Sequence, residues 1–450
     1  MEITSSTILK PVPHPLVGEK VPLTIFDRAA SDLFVPTVLA YLAPAPSNEA
    51  LKEGLLKAVA PYPHLAGRLA VDQLGRRFLH VNNEGVLLIE TTVPANLADV
   101  LVQGRIATGV DHLYPTVPEP EVRIHQSMEI LLLSRLNSHA CLCLITYIQE
   151  NIGAALLQIQ LNRYNCHHHT ADGHSMSMFF TAWATAVREG KDFTMPTPFL
   201  DREKTVVPRS TPTPVFDHRS LEFMCGDRNA AYIVVPMHRI KNLKVHFTAE
   251  FVVDLKGRVG ARCSTFQCLL AHVWKKMTEA RDLKPEEFTK VRMAVNCRGR
   301  ANPPVSMNFF GNMVLWAFPR LLAGDLMSSS YGSVVGAIRD AVARIDGEYV
   351  QSFVDFGEVA DTNGEELFAT AAAPGSMLCP DAEVDSWLGF SFHQLDFGTG
   401  APAAFLPPDL PFEGLMLFVP SREANGGVDL FTSIAEDHVA AFEQICYSLD

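Results

Sequence analysis

The segment that decides the fold of this chain runs Cys166-His167-His168-His169-Thr170-Ala171-Asp172-Gly173-His174. It places three adjacent imidazoles shortly before a carboxylate and a glycine, and imidazole is the side chain best suited to moving a proton near neutral pH. A second motif, Asp396-Phe397-Gly398-Thr399-Gly400, lies far downstream. Either motif alone is weak evidence, whereas the two together, in this order and in a chain of 450 residues, are informative.

A metal site is the main competitor of proton transfer at the histidines. His168 and Asp172 form His-x-x-x-Asp, a spacing that 16 histidines produce somewhere by chance, and histidine is the commonest metal ligand. Adjacent histidines on a strand point to opposite faces, however. No His-x-Glu, His-Glu-x-x-His or nearby cysteine pair completes a zinc set. We therefore expect proton transfer and no metal.

Nucleophilic and nucleotide-binding motifs are missing from the sequence. There is no Gly-x-Ser-x-Gly elbow. Cys166 is the alternative nucleophile, but most cysteines without a stated activator are inert. The chain also lacks Gly-x-x-x-x-Gly-Lys and Gly-x-Gly-x-x-Gly, which argues against a loop that cradles phosphates.

The composition is that of a globular protein with room for two domains. Apolar residues make up 48% of the chain and charged residues 19%, a balance typical of large cores. The net charge of −13 argues against a general nucleic-acid binder, which is usually basic. The nine cysteines are odd in number and scattered, as expected for buried thiols in a reducing compartment.

Neither a leader nor a membrane span is evident in the sequence. The N-terminus has no charged-then-apolar signal, and three early prolines interrupt it. The most apolar window, 131–148, is broken by polar residues and is a poor membrane span. We therefore expect a cytoplasmic protein that binds neither nucleic acid nor membrane.

Periodicity predicts alternating helices and strands on both sides of a proline-rich stretch, 194–214. The predicted helices are Asn48–Val59, Ser175–Val187, Ser264–Thr278 and Tyr331–Phe353. The predicted strands are Val21–Phe26, Ala154–Leu161, Val291–Val295, Met313–Ala317, Glu413–Val419 and Val428–Phe431, with a hairpin of Arg77–Val81 and Val86–Glu90. Mixed elements on both sides of a linker indicate two α/β halves.

These residues resemble the plant BAHD acyl-CoA-dependent acyltransferases. The segment 168–173 matches the family's His-x-x-x-Asp-Gly, and the segment 396–400 matches its Asp-Phe-Gly-Trp-Gly. Supporting stretches are Pro61 to Leu69, Asn296-Cys297-Arg298-Gly299-Arg300 and Phe310-Gly311-Asn312. Together they extend over most of the chain, and their joint occurrence is specific.

The resemblance implies an α/β fold of two pseudosymmetric chloramphenicol-acetyltransferase-like domains with a channel between them. The implied boundaries are an N-terminal domain at 1–195, a crossover linker at 196–222 and a C-terminal domain at 223–450. The resemblance also implies a monomer that binds no permanent cofactor and uses acyl-CoA as a co-substrate.

The family's catalytic roles transfer to matching residues of this chain. His168 is then the general base, and Asp172 is structural and pairs with an arginine. Asp396 is likewise structural, paired with Arg298 or, as the alternative, with Arg300. Gly173, Gly398 and Gly400 are expected to serve backbone turns. A basic region containing Lys275, Lys276, Lys290 and Arg292 is a candidate for the anionic end of coenzyme A, although such charges are more often a solvated face.

The acceptor is suggested by a closer resemblance within the family. The stretches Cys263 to Arg320, Glu383 to Trp387 and Cys446 to Asp450 resemble the cereal amine N-acyltransferases, which join benzoyl or hydroxycinnamoyl groups to tryptamine, agmatine or putrescine. Relatives that act on shikimate or quinate carry an arginine where this chain has Gly389. Apolar walls such as Trp387, Phe390 and Phe392 suit an aromatic amine.

The chain departs from the family at three places. Thr399 replaces a tryptophan, Asn162 to Cys166 stands where relatives have a longer apolar strand, and Gln126 to Asn151 is extra sequence. We expect the last two to reflect an error of the gene model or of splicing, or a decayed copy. Two alternatives to an amine N-acyltransferase therefore stay open: an O-acyltransferase acting on an alcohol, and a non-catalytic copy of the fold.

Overall fold

The computed structural model describes residues 2–32, 34–42, 44–93, 134–136, 140–142, 153–160, 163–194, 196–224, 232–406, 410–422 and 426–449. The apolar window 131–148 and the extra segment 126–151 lie largely outside the described residues.

The first ten strands in chain order are β1 (Glu2–Leu9), β2 (Lys20–Pro22), β3 (Phe34–Leu42), β4 (Arg68–Val71), β5 (Arg77–His80), β6 (Val86–Val93), β7 (Ser134–Leu136), β8 (Ala140–Leu142), β9 (Leu157–Gln160) and β10 (Arg163–His167). The following strands are β11 (Phe223–Met224), β12 (Ile233–Val234), β13 (Ile240–Phe247), β14 (Phe288–Asn296), β15 (Val314–Ala317), β16 (Arg320–Leu322), β17 (Phe368–Ala369), β18 (Ser376–Met377), β19 (Ala382–Ser386), β20 (Ala404–Leu406), β21 (Leu415–Pro420) and β22 (Val428–Ala435). The helices are α1 (Ile25–Ala29), α2 (Asn48–Val59), α3 (Gly173–Glu189), α4 (Ala249–Val259), α5 (Thr265–Ala280), α6 (Ala323–Ser328), α7 (Tyr331–Ala343), α8 (Gly347–Thr362) and α9 (Val439–Ile445).

Two large sheets form the framework. The first has the strand order β1-β6-β7-β8-β3-β10-β9, and β20 pairs with β3. The second has the order β13-β22-β21-β19-β14-β15, and β16 pairs with β14. Strand β20 comes from the C-terminal part of the chain, so the first sheet is completed by both halves of the sequence.

Helix ends follow local capping chemistry, and several predicted helices are confirmed for this reason. Ser47 accepts a hydrogen bond from the amide of Ala50 at the start of α2. Ser264 caps α5 in a capping box with Gln267. Helix α3 begins two residues earlier than predicted, because Asp172 is its N-cap.

Three predicted elements differ in the structure. The helix predicted over Tyr331–Phe353 is two helices, and Asp346 caps the second. The predicted hairpin is wrong: β5 pairs with β2 and β4, whereas β6 pairs with β1 and β9. The strand predicted over Val21–Phe26 ends at Pro22, because Thr24 forms a capping box that starts α1.

The second sheet separates two hydrophobic cores. Side chains alternate between its faces: Val384 and Met416 point into one core, under α4, α5, α7 and α8, while Leu415 and Leu417 point into the other. The second core also contains Leu55 and Trp183 from the N-terminal half. The face of the sheet that bears Leu415 and Leu417 is therefore packed toward the half that carries the histidine motif.

None of the helices that the structure describes is both long and apolar enough to cross a bilayer. The domain boundaries at 1–195, 196–222 and 223–450 stay predictions. The middle segment is tightly bonded to the rest of the protein: Arg202 and His218 are 3% and 1% exposed.

Candidate active site

The histidine motif occupies the short connection between a central strand and a helix. Strand β10 runs antiparallel to both β3 and β9 and ends at His167. The chain then turns, and the amide of Thr170 donates to the carbonyl of His167 over 2.9 Å. Helix α3 begins at Gly173. This connection places His168 directly beyond the end of a strand that is supported on both sides.

His168 is partly exposed, whereas His167 and His169 are buried. Its carbonyl accepts a 2.7 Å hydrogen bond from the side-chain amide of Asn312. Burial lowers the pKa of His168, against weaker opposing contributions that include the charge of Asp172. The imidazole is therefore neutral at physiological pH, which is the form that a general base needs.

Asp172 forms a buried, bidentate ion pair with Arg298 across 2.9 and 3.1 Å. Asp172 is 2% exposed and Arg298 0%. Its carboxylate also accepts the amides of Ser175 at 2.9 Å and Met313 at 3.0 Å. Burial alone would raise the pKa of Asp172, but Arg298 and these amides outweigh it and lower that pKa. With its acceptor sites occupied, this carboxylate fixes the loop and is not free to relay a proton.

A second network holds the same loop from the other side. The side-chain amide of Asn312 donates to Asp27 at 2.9 Å as well as to His168. Asp27 forms a 2.6 Å ion pair with Arg202, whose guanidinium also donates to the carbonyl of Thr170. Helix α1, the middle segment and the C-terminal half thus converge on the motif.

The structure corrects the predicted partner of Asp396. Arg298 binds Asp172, and Arg300 donates to the carbonyls of Val342 and Ile345 at 3.0 and 2.8 Å. Asp396 instead accepts the amides of two glycines in its own motif. The other N–H groups of Arg298 donate to the carbonyls of Phe309 and Gly311 and to the side chain of Asn296, which leaves no donor for a second carboxylate.

The Asp396 motif lies at the opposite end of α3 from the histidines. The backbone carbonyl of Asp396 accepts a 3.1 Å hydrogen bond from the side chain of Arg188, which lies in the last turn of that helix. Seventeen helical residues span about 25 Å. The ring of Phe397 packs edge-on against Trp183, with 5.0 Å between centroids. Thr399 is exposed, so the missing tryptophan leaves no cavity at this place.

Glycine is required at the motif positions for two different physical reasons. Gly398 and Gly400 have φ of +104° and +96°, and their amides both donate to Asp396 at 2.7 and 2.8 Å. Gly173 is an ordinary first residue of α3. A Cβ there would lie 2.8 Å from the ring of Phe390, so close packing, and not the predicted turn, requires glycine.

His167, the last residue of β10, and His169, in the turn that follows it, both lie near the carboxylate of Asp32. Their potential ligand atoms lie within 4.8 Å of one another. Nδ1 of His167 accepts the amide of His169, however, at 3.2 Å. The ring proton of the neutral imidazole is then on Nε2, which lies 3.4 Å from Asp32 and has no lone pair for a metal. The absence of a metal stays a prediction.

Cys166 is buried beside the motif, and its thiol points to the carbonyl of His167 at 3.6 Å. Burial raises the pKa of this thiol, which keeps it protonated and unreactive at neutral pH. The cysteines whose side chains the structure describes are free thiols: Cys166, Cys263, Cys268, Cys297, Cys379 and Cys446.

The side chains of the basic region predicted for coenzyme A are already bonded within the protein, and their contact with coenzyme A stays a prediction. Lys275 is 6% exposed, and its ammonium donates to the carbonyls of Leu326, Met327 and Ser329 at the end of α6. Lys276 pairs with Glu279 at 3.1 Å. Arg292 pairs with Glu383 at 2.9 Å and stacks on Trp316. No ammonium proton of Lys275 is left for a phosphate.

The aromatic residues predicted near the acceptor form one cluster. Trp387 contacts the rings of Phe390, Phe392 and Phe405 at centroid distances of 6.2, 5.3 and 5.7 Å. Phe392 is buried core, whereas Trp387 and Phe390 are partly exposed. Gly389 is exposed and supplies no cation.

Sequence reasoning missed the second network. Asn312 appears in the sequence only as part of a supporting stretch, and Arg202 falls in a predicted linker. The available signal was the arginine that directly follows Asp201 in a proline-rich segment, which is too weak to predict a buried ion pair. Asp27 was placed beyond the end of a predicted strand, although the Thr24-x-x-Asp27 spacing is a capping signature.

The described architecture matches solved structures of other proteins. Vinorine synthase superposes with a TM-score of 0.66 at 20% identity, covering 98% of this chain and 96% of its own. TRI101 of F. graminearum, crystallised with coenzyme A and T-2 mycotoxin, has a TM-score of 0.71 at 16% identity, with coverages of 95% and 97%. At such identities the likeness shows the fold, and it confirms the predicted class of two chloramphenicol-acetyltransferase-like α/β domains.

Closer relatives identify the family. A family model described as the Transferase family matches residues 1–132 and 160–449. Tryptamine benzoyltransferase 1 of Oryza sativa subsp. japonica is 57% identical over 470 residues, covering 100% of this chain and 98% of its own. Tryptamine hydroxycinnamoyltransferase 2 of the same organism is 54% identical over 465 residues, with coverages of 100% and 99%. The fold and the site define an acyltransferase. The chain belongs to the Transferase family, and the predicted BAHD resemblance is confirmed.

The region before the histidine motif also differs from the relatives. Residues 133–159 fall outside the family match and overlap the predicted extra segment 126–151. The alignment with tryptamine benzoyltransferase 1 runs over 470 positions for a chain of 450 residues. The relative therefore has positions that this chain lacks.

Proposed function

We propose that this chain transfers a benzoyl or hydroxycinnamoyl group from coenzyme A to the nitrogen of an amine, with tryptamine as the leading acceptor. The observation that carries the proposal is His168, a neutral and partly exposed imidazole held at the end of β10 by Asn312. The rice relatives at 54–57% identity are named as enzymes that act on tryptamine. Gly389 leaves no cation for a carboxylate-bearing acceptor such as shikimate.

His168 acts as a general base in the proposed reaction. It takes a proton from the amine as the nitrogen attacks the thioester carbonyl and a C–N bond forms. The tetrahedral oxyanion collapses, the C–S bond breaks, and the coenzyme A thiolate leaves. The imidazolium returns the proton to the thiolate, so His168 is neutral again and no covalent enzyme intermediate forms.

The other motif residues support this base without touching the reacting atoms. Asp172 and Arg298 fix the loop that follows His168, and Gly173 lets Phe390 approach the start of α3. Asp396, with Gly398 and Gly400, closes a turn at the far end of that helix. Rigid placement of the base supplies much of the rate, because misplacement by about 1 Å costs about 100-fold.

We also propose that the enzyme acts as a cytoplasmic monomer, with acyl-CoA as a co-substrate and no resident cofactor or metal. The free thiols of the described cysteines and the net charge of −13 support a reducing compartment and argue against nucleic acid as a partner.

The acceptor class is tested with purified protein and a panel of acceptors. Benzoyl-CoA or coumaroyl-CoA is supplied with tryptamine, tyramine, putrescine, agmatine or shikimate, and the products are identified by mass spectrometry. We expect an amide of tryptamine and an equal amount of free coenzyme A thiol. A shikimate ester as the main product would favour the O-acyltransferase instead. No product from a protein with a folded circular-dichroism spectrum would favour the non-catalytic copy.

A further inference from the structure

Asp385 is a carboxylate in the middle of a sheet. It lies on β19, between β14 and β21. Among the residues that the structure describes, no hydrogen bond or ion pair reaches its side chain. Buried carboxylates elsewhere in the protein are paired: Asp172 binds Arg298, and Glu413 binds Arg281. Asp385 is instead partly exposed, so its carboxylate is open to water and to a ligand.

Strand register shows which way Asp385 faces. It pairs with Leu417 of β21, while its neighbour Val384 pairs with Met416. Met416 and Val384 belong to the core beneath the helices, and Leu417 belongs to the core shared with the N-terminal half. Asp385 therefore projects from the face of the second sheet that is packed toward the histidine motif.

Aromatic side chains connect Asp385 to that motif. Trp387, two residues further along the chain, contacts Phe390. The ring of Phe390 lies against Gly173, the first residue of the helix that follows His168. Asp385, Trp387 and Phe390 are each partly exposed. Asp385 therefore lies two residues along the chain from a pair of aromatic rings that reaches the start of α3.

The charged groups that face Asp385 leave its carboxylate without a counter-charge. Glu383 lies on the same face of β19, and Arg292 lies on the adjacent strand β14. Arg292 is engaged by Glu383 at 2.9 Å and by the ring of Trp316 at 4.0 Å. Burial first, and the charge of Glu383 second, raise the pKa of Asp385 to about 7, and Arg292 offsets this only in part.

We propose that Asp385 binds the cationic group of the acceptor amine. The inference rests on the proposed function, since it names the residue that makes an amine the preferred acceptor. A primary amine is protonated at neutral pH, with a pKa near that of lysine, about 10. A carboxylate near aromatic rings fits such a cation with an aromatic body. An alcohol acceptor carries no charge and gains nothing from Asp385.

Two kinds of cation fit this chemistry, and the acceptors distinguish them. In tryptamine the reacting nitrogen is the only ammonium, and it must release one proton to water before its lone pair attacks and His168 takes the second. Putrescine keeps a second ammonium at its far end. Tryptophol has the indole ring of tryptamine with a hydroxyl in place of the amine. It therefore reports on the aromatic rings and on His168 without a cation.

The test compares the wild type with Asp385→Asn, an isosteric change, and with Asp385→Glu, which retains the charge. The exposed Asp340→Asn is the matched control. We expect Asp385→Asn to lower kcat/KM for tryptamine relative to tryptophol by ~10–100-fold, the factor expected for the loss of one charged hydrogen bond. Asp385→Glu should restore part of the preference, and Asp340→Asn should change nothing. A fall confined to putrescine would place Asp385 at the distal ammonium.

The proposal is overturned if the wild type acylates these amines and a folded Asp385→Asn variant keeps the same kcat/KM ratios. The two ratios are tryptamine to tryptophol and putrescine to tryptophol, and folding is checked by circular dichroism. Failure of the wild type to acylate any amine would instead refute the proposed function, so the two failures are distinguishable.

Discussion

At the scale of single residues, His168 and Asp385 show how burial prepares ionisable groups for opposite tasks. Desolvation favours the neutral form of each, so it lowers the pKa of His168 and raises that of Asp385 to about 7. His168 becomes a free base at neutral pH. Asp385 stays ionised for part of its population and awaits a cation. Groups whose environments move their pKa values in this way are typical of functional sites.

The carboxylate of Asp385 should weaken the fold at high pH. In the unfolded chain its pKa is 3.8, and in the folded protein it is about 7, so the folded state holds a proton that the unfolded state has released. Stability therefore falls as the pH rises through this range and stays low above it. Asp385→Asn, which does not titrate, should stabilise the protein more at about pH 8 than at about pH 5, by about 1–2 kcal/mol after solvent screening.

Urea unfolding of both proteins at the two pH values measures this difference. An equal effect of Asp385→Asn at both pH values would show that the carboxylate is neutralised by a partner. It would then be a structural group and not a receptor for a cation.

At the scale of elements, one ion pair joins the first turn of α3 to the end of β14. Asp172 caps the helix and holds Arg298 in the core. Removing either partner leaves the other charge buried, so Asp172→Asn and Arg298→Ala should each cost about 3–5 kcal/mol. The double variant should cost much less than their sum, because both changes remove the same interaction.

Chemical denaturation of the wild type, the two single variants and the double variant measures this coupling free energy. Ser47→Ala at the N-cap of α2 is the control for the loss of a cap alone, which should cost about 1 kcal/mol. Because the folded-state pKa of Asp172 is lowered, its contribution is present above about pH 4 and disappears as the pH falls through the folded value. Strict additivity of the two single changes would contradict the pairing.

At the scale of the whole molecule, the two halves are interlocked around the motif. Strand β20 crosses back to pair with β3, and Phe26 of α1 is buried in the core beneath the second sheet. Asn312 then binds both the loop of His168 and Asp27. The active geometry therefore depends on contacts between distant parts of the chain.

Features encoded locally were predictable from the sequence, and features that depend on distant partners were not. Helix α2 begins where predicted because a serine cap and apolar periodicity are adjacent in sequence. The hairpin at residues 77–90 failed because strand pairing is decided by other strands. Asp172 was predicted to bind an arginine, yet Arg298 was assigned to Asp396, because spacing does not reveal which of two carboxylates a guanidinium reaches.

The proposed base, His168, was predictable because its motif is contiguous, whereas the residues around it were not. Asn312 and Arg202 join it from 144 and about 30 residues away. The sequence around Asp385 does not predict its role, because only the structure shows that no described residue pairs with its carboxylate. Lys275 looked available for an anion until the structure showed its ammonium capping α6.

The most direct test of the account is the rate of amide formation from benzoyl-CoA and tryptamine by wild type, His168→Ala and the exposed control His238→Ala. General-base catalysis is worth about 100–10,000-fold, so we expect kcat of His168→Ala to fall by at least ~100-fold with unchanged thermal unfolding. His238→Ala should match the wild type. Amide formation by His168→Ala at the wild-type rate would contradict the assignment of the base.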